Sequence, residues 1–95
     1  MTRHPLTVRL ERLDSHGLPH ARAVLYAAID SADGDVHVDL DEVVWVDRWG
    51  LGLLAAAHER SHRRGHHLLV HSTNPRLRRA LAVSRLARVL HLSSA

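Results

Sequence analysis

Residues 58–62 spell His-Glu-Arg-Ser-His. On a helix, two histidines four residues apart project from one side and can hold Zn²⁺, while the intervening glutamate polarises a bound water. Arg63-Arg64-Gly65 extends the match toward a longer H-E-x-x-H-x-x-G form. The third histidine of that form belongs at residue 68, where Leu68 stands, and His66 and His67 miss the position. Ninety-five residues are also too few to build an ordinary metalloprotease cleft around the helix. Ten of them are histidine, so a pair at this spacing arises readily from composition alone. His58 and His62 are therefore weak metal candidates. The expectation is no metal, no cofactor and no enzyme, with a His-rich metal-binding protein or a zinc hydrolase on His58 and His62 as the alternative. Two other chemistries lack their parts. Gly50-Leu51-Gly52 has neither the third glycine nor the lysine of a phosphate loop. Ser15, Ser61 and Ser72 lie in no nucleophile-elbow context.

Charge is segregated along the chain. Residues 1–47 hold four arginines against nine acids, and residues 48–95 hold nine arginines against Glu59 alone. Such asymmetry suits an acidic partner or nucleic acid, or two halves that attract each other within one fold. A basic nucleic-acid-binding domain is thus a further alternative, though no recognition motif or interleaved aromatics support it. Cysteine is absent, which excludes disulfides and thiolate metal sites. No apolar run is long enough to span a bilayer, and the N-terminus has no apolar signal core. One cytoplasmic domain over residues 1–95, without a membrane partner, is expected.

The elements that would position a site can be taken in order. Thr7 to Leu13 alternates through Val8 and Leu10, then slips by one residue, which predicts a strand ending or bulging near Glu11. Asp14 or Ser15 can cap a helix from Leu18 to Ile29, with Pro19 in its first turn. Leu18, Arg22, Leu25 and Ile29 fall on one line of that helix. Val36, Val38 and Leu40 alternate with His37 and Asp39 as a strand with one packed face. Val43 to Val46 is a second apolar run in which Trp45 is most simply a core residue. Asp47 can cap a helix beginning near Trp49 or Gly50 and stopped by Gly65. Leu51, Leu54, Ala55, His58, Ser61 and His62 define one of its sides. His67 to His71 is a short strand. Asn74-Pro75 starts a helix with Leu77 and Leu81 inward and Arg76, Arg78 and Arg79 outward. Val83, Leu86, Val89 and Leu90 close the chain as a short helix and a last strand. The β-α-β-α-β-α order argues for a mostly parallel sheet of four to five strands, with helices mainly on one face. Thin cover and exposed edges invite a partner, and a homodimer is one such arrangement.

The middle block resembles the STAS domain of anti-sigma factor antagonists. In that family a strand ending in apolar-Asp-Ser-Ser-Gly leads through Leu-Gly into an Ala/Leu/Arg helix. Val46-Asp47-Arg48-Trp49-Gly50-Leu51-Gly52-Leu53-Leu54 stands in that place. Val36-His37-Val38-Asp39-Leu40 is similar to the family's preceding strand. Gly65 is similar to the glycine before its next strand. Asn74-Pro75 with Leu81-Ala82-Val83-Ser84-Arg85-Leu86 is similar to its ending. Asp14 sits where the family's Gly-x-Leu-Asp motif places its Asp, although Glu11 replaces the glycine of that motif and Arg85 a later one.

The resemblance implies a STAS-like (SpoIIAA-like) α/β fold and a non-enzymatic, partner-switching role in bacterial transcription regulation. The implied partner is an anti-sigma factor of the ATP-binding kinase type, or another STAS-domain regulator. The implied contact surface is Asp14, Asp47, Arg48, Trp49, Gly50, Leu51 and Leu53. Read by residue type, Trp49 is either a partner anchor or a large residue folded back over the helix–sheet gap, and Arg48 either pairs with Asp14 or an acidic partner or is simply solvated. In regulated members the second serine of the motif is phosphorylated, which adds roughly −1.5 to −2 charges at a helix start. Trp49 occupies that position and has no hydroxyl, so no phosphorylation is expected there.

Overall fold

The computed structural model describes residues 6–84 and the backbone of residues 91–92. The elements run β1 (Leu6–Arg9), α1 (Leu18–Ser31), β2 (Val36–Asp39), α2 (Arg48–Arg63), β3 (Leu68–His71), α3 (Pro75–Val83) and β4 (His91–Leu92). Every strand pair is parallel and the strands lie in chain order, β1-β2-β3-β4. Parallel neighbours need crossovers, and these are almost always right-handed. Because every step moves the same way along the sheet, all the crossover helices fall on one face. The sheet has three strands of four residues and a fourth of only two. The expected four to five strands are therefore met only at the lower bound, and only by counting that short strand. Leu86, Val89, Leu90 and Arg85 lie outside the described residues.

The period-two pattern decides which face is dry. Val8, Val36, Val38, Leu68 and Val70 are buried and meet Leu25 and Ile29 of α1, Leu53, Leu54 and Ala57 of α2, and Leu77 and Leu81 of α3 in one core. The opposite face carries Thr7, Arg9, His37, Asp39, Leu69 and His71, all exposed or half-buried. There Arg9 Nε donates to Asp39 at 3.3 Å. His37 Nδ1 and His71 Nε2 are 2.9 Å apart, with ring centroids at 5.1 Å. Nitrogens so much closer than the ring centres mean that the rings meet edge to edge, one donating and one accepting.

Four local features refine or correct the sequence expectation. β1 stops at Arg9, and Leu10 adds one bond by donating to Asp39 O at 3.1 Å. The slip after Glu11 is thus a strand end, after which Leu13 re-enters as an isolated parallel bridge to Val46. The run Val43–Val46 follows a turn at Leu40–Val43 and is only half buried. Val43 N donates to Leu40 O, Val43 and Val46 point inward, and Val44 and Trp45 are 76% and 63% exposed. The core assignment of Trp45 is corrected accordingly. The buried line of α2 is Gly50, Leu53, Leu54, Ala57 and Ser61, so the helix is rotated by about one position; Leu51, Ala55 and His58 are half-buried and His62 is exposed. In α1 the buried line is Ala21, Leu25 and Ile29, and Arg22 is exposed.

Helix ends follow the punctuation closely. Asn74 Oδ1 accepts from Arg76 N and Leu77 N, and Pro75 opens α3. At the end of α2, Gly65 takes φ +78°, and the N–H groups of Gly65 and His66 donate to His62 O and Ser61 O. That bond pair is a Schellman motif, which favours glycine at the left-handed position.

Candidate functional site

Parallel strands place all their C-terminal ends together, and three loops meet there. The carboxylate of Asp47 joins two of them. Its Oδ1 accepts from Gly50 N at 3.0 Å and caps α2. Its Oδ2 accepts from Ser15 N at 3.0 Å in the β1–α1 loop. Asp14 organises that loop: its Oδ1 accepts from His16 N and Gly17 N at 3.0 and 3.1 Å. Neither Asp14 nor Ser15 caps α1, whose N-cap is Gly17 without a side-chain bond. The Asp14 carboxylate is spent on its own turn, which is the usual competition between side chain and helix. Asp41 ties in the third loop by accepting from Thr73 N and Thr73 Oγ1 at 2.8 and 3.1 Å.

Gly50 sets how closely the loops approach. A Cβ at this position would stand 1.9 Å from Leu13 O and 2.9 Å from Leu13 Cγ. Only glycine lets the first turn of α2 lie against the backbone of Leu13, which is itself fully buried. This contact, with the Asp47 cap, fixes the rotation of α2 and therefore the direction of the side chains beside it. Trp49 is turned outward and is 56% exposed, and the Arg48 guanidinium lies 5.6 Å from its ring centroid.

The carboxylates here are held in their charged form. The Gly50 N–H does most to pull the Asp47 carboxyl below its ordinary value, helped by the N–H groups of Ser15 and Trp49 and opposed by partial desolvation and, less, by the nearby Asp14. Asp14 is lowered chiefly by its bond to Arg12, whose Nη2 donates to Asp14 Oδ2 at 3.0 Å. Arg12 therefore takes the place beside Asp14 that was one of those open to Arg48. The signal was available, since Arg12 lies two residues before Asp14 at the mouth of a turn.

The corner thus brings Asp14, Asp47, Arg48, Trp49 and Gly50 together. Gly50 and Leu53 face the core, and Leu51 is half-buried against it. Sequence reasoning missed Val44 and Trp45, exposed in the same β2–α2 loop. The apolar run concealed them: a turn closes at Val43, and only Val43 and Val46 of the four then face the core.

The H-E-x-x-H motif lies toward the other end of α2. The His58 and His62 rings stand 5.9 Å apart, and Glu59 lies 3.9 Å from Arg63 Nε. Among the described residues no three His, Asp or Glu side chains converge into a group that could hold a metal. No helix among them is long and apolar enough to cross a membrane.

No curated protein matches the sequence. The fold is similar to a STAS-domain anti-sigma-factor antagonist from Planctomyces limnophilus, with a TM-score of 0.78 and 19% identity over 94% of this chain and 82% of that one. It is also similar to the anti-sigma factor antagonist SpoIIAA in its unphosphorylated form, with a TM-score of 0.70 and 20% identity over 100% of this chain and 84% of that one. The phosphorylated form of SpoIIAA from Bacillus gives 0.68 and 21% identity over 98% and 86%. The family model described as "Mlab, STAS domain" matches residues 1–92. With a match over nearly its whole length, this chain belongs to the STAS-domain family.

Proposed function

We propose that this domain is a non-enzymatic partner-switching regulator, an anti-sigma factor antagonist whose binding corner is built by the β1–α1 loop, the β2–α2 loop and the first turn of α2. The partner is an anti-sigma factor, the class that the similar structures are described as antagonising; the ATP-binding kinase type, or another STAS-domain regulator in its place, is what the family resemblance implies. Trp49 carries the reading. It stands outward on the first turn of α2, beside a cap and a glycine contact that hold the backbone still. Trp and Arg are the residue types enriched at binding hot spots, and Arg48 and Trp49 are adjacent here. Asp14, Asp47 and Gly50 serve as the frame, because their bonding and packing capacity is turned inward.

Binding at this corner is controlled by occupancy and not by phosphate at residue 49. An indole has no hydroxyl to modify, so the helix start that would otherwise stabilise an added anion presents an aromatic surface. The test is incubation with a cognate kinase and ATP, followed by mass spectrometry of the intact protein. Complex formation with the mass unchanged is the expected result. Stoichiometric phosphorylation near residue 49 would remove this mode of control, and failure to bind any kinase of that type would remove the antagonist reading.

A further inference from the structure

The carboxylates at the strand C-terminal ends are largely consumed inside the fold. Asp14 is bonded to Arg12 and its own turn, and Asp47 to Gly50 N and Ser15 N. Asp41 holds Thr73, and Asp39 accepts from Arg9 Nε and Asp41 N. Glu42 lies 3.9 Å from Arg9 Nη1. Glu11 lines a depression with Arg9, Arg12 and His20, on the α1 side of the corner.

Three arginines of α2 and α3 differ, while Arg60, Arg63, Arg64 and Arg78 are engaged within the fold. Arg48, Arg76 and Arg79 are exposed, and none forms an ion pair with an acid among the described residues. They belong to one rim, because α2 and α3 both start where β2 and β3 end and the Thr73–Asp41 bonds join the two loops. Val44, Trp45 and Trp49, each more than half exposed, lie in the loop and first turn of α2 on that rim. The surface left to a partner is therefore apolar and aromatic with uncompensated positive charge, although the first half of the chain is acid-rich.

Resting on the binding reading above, we infer that the partner's contact segment is acidic and apolar: carboxylates meet Arg48, Arg76 and Arg79, and aliphatic side chains cover Val44, Trp45 and Trp49. Opposite charge across an interface steers encounter and selects partners. A basic segment meets three unneutralised arginines and is refused. The arginines also gain most from a carboxylate, since a guanidinium can engage it through two parallel bonds. Nucleic acid could satisfy the charge, but phosphate contacts leave the aliphatic coverage of Val44 unused.

Trp45 and Trp49 are the only tryptophans in the chain, so tryptophan fluorescence, excited selectively over Tyr26, reports on this surface alone. The probes are two synthetic amphipathic helical peptides with the same leucine pattern, one carrying glutamate on its polar positions and the other lysine. The glutamate peptide is expected to shift the emission saturably, with affinity falling as salt rises. Arg48→Glu, with Arg48→Gln as the milder variant, should weaken that binding about tenfold or more with melting temperature unchanged. An equal response to both peptides, a response to the lysine peptide alone, or no response to either overturns the inference. The purified anti-sigma factor separates the two readings. Tight binding that ignores salt and Arg48→Glu overturns the acidic contact while leaving the antagonist role intact. Saturable binding of the glutamate peptide alone, with no binding of the anti-sigma factor, supports the acidic contact and removes the antagonist role.

Discussion

At its N-terminal end α2 is locked by contacts from distant parts of the chain: Asp47 caps it, Ser15 donates to the same carboxylate, and Leu13 lies against Gly50. At its C-terminal end the helix spells the more suggestive motif, His58-Glu59-x-x-His62, but there the contacts with α1 run through arginines, Arg60 and Arg64 to Asp30, and the last turn is closed by local bonds from Gly65 and His66. The first end holds two outward residues, Arg48 and Trp49, on a backbone that cannot rotate. The second offers two rings 5.9 Å apart and no third ligand among the described residues. A site needs several elements to converge on it, and a motif within one helix turn cannot show that by itself.

Three glycines of this region separate the kinds of constraint. Gly50→Ala should cost about 3 kcal/mol in urea denaturation, because the new methyl meets a carbonyl that only backbone movement can displace. A loss below that of the next variant would break the account of the N-terminal lock. Gly65→Ala should cost about 1 kcal/mol, the penalty for placing a Cβ in the left-handed region, with no distant contact disturbed. Gly52→Ala, on the exposed side of the same helix with open space around it, should stabilise by about 0.5 kcal/mol. The order of the three values, more than any single one, tests the contrast.

Much of the frame was legible because it rests on local rules. The alternation in Val36–Asp39, the cap at Asp47, the Asn74-Pro75 start and the Gly65 stop each depend on residues within one turn of each other. Trp45 was not legible in this way. A run of four apolar residues reads as buried until the Val43 N–H donates back to Leu40 O and turns the chain. The rotation of α2 was hidden for a related reason, since it is set by Leu13, far away in sequence. The Arg12–Asp14 pair also takes one of the partners open to Arg48, which lies over the Trp49 ring instead.

Acid should reveal the same contrast more weakly. Asp14, Asp47 and Asp30 all have carboxyl groups lowered in the folded state, Asp30 chiefly by Arg60. A depressed folded value contributes stability above the unfolded value, about 3.9, and that contribution is lost as pH falls through the folded value. Melting temperature should therefore decline as pH falls below about 4. Asp47→Asn keeps a capping oxygen while removing the titration, so it should flatten that limb. An unchanged limb would show that the N-terminal lock does not depend on the charge of Asp47. The smallest effect belongs to the other end of α2: added Zn²⁺ should leave the melting temperature unmoved, and a zinc-dependent rise lost in His58→Ala would restore a metal site there.

The most direct test of the corner is calorimetric titration of a cognate ATP-binding anti-sigma factor with the wild-type domain and with Trp49→Ala. The account expects a stable complex with the wild type. It expects an equally folded variant whose affinity falls by about 2 kcal/mol or more, the loss typical of a hot-spot tryptophan. Undiminished affinity in a correctly folded Trp49→Ala would contradict it.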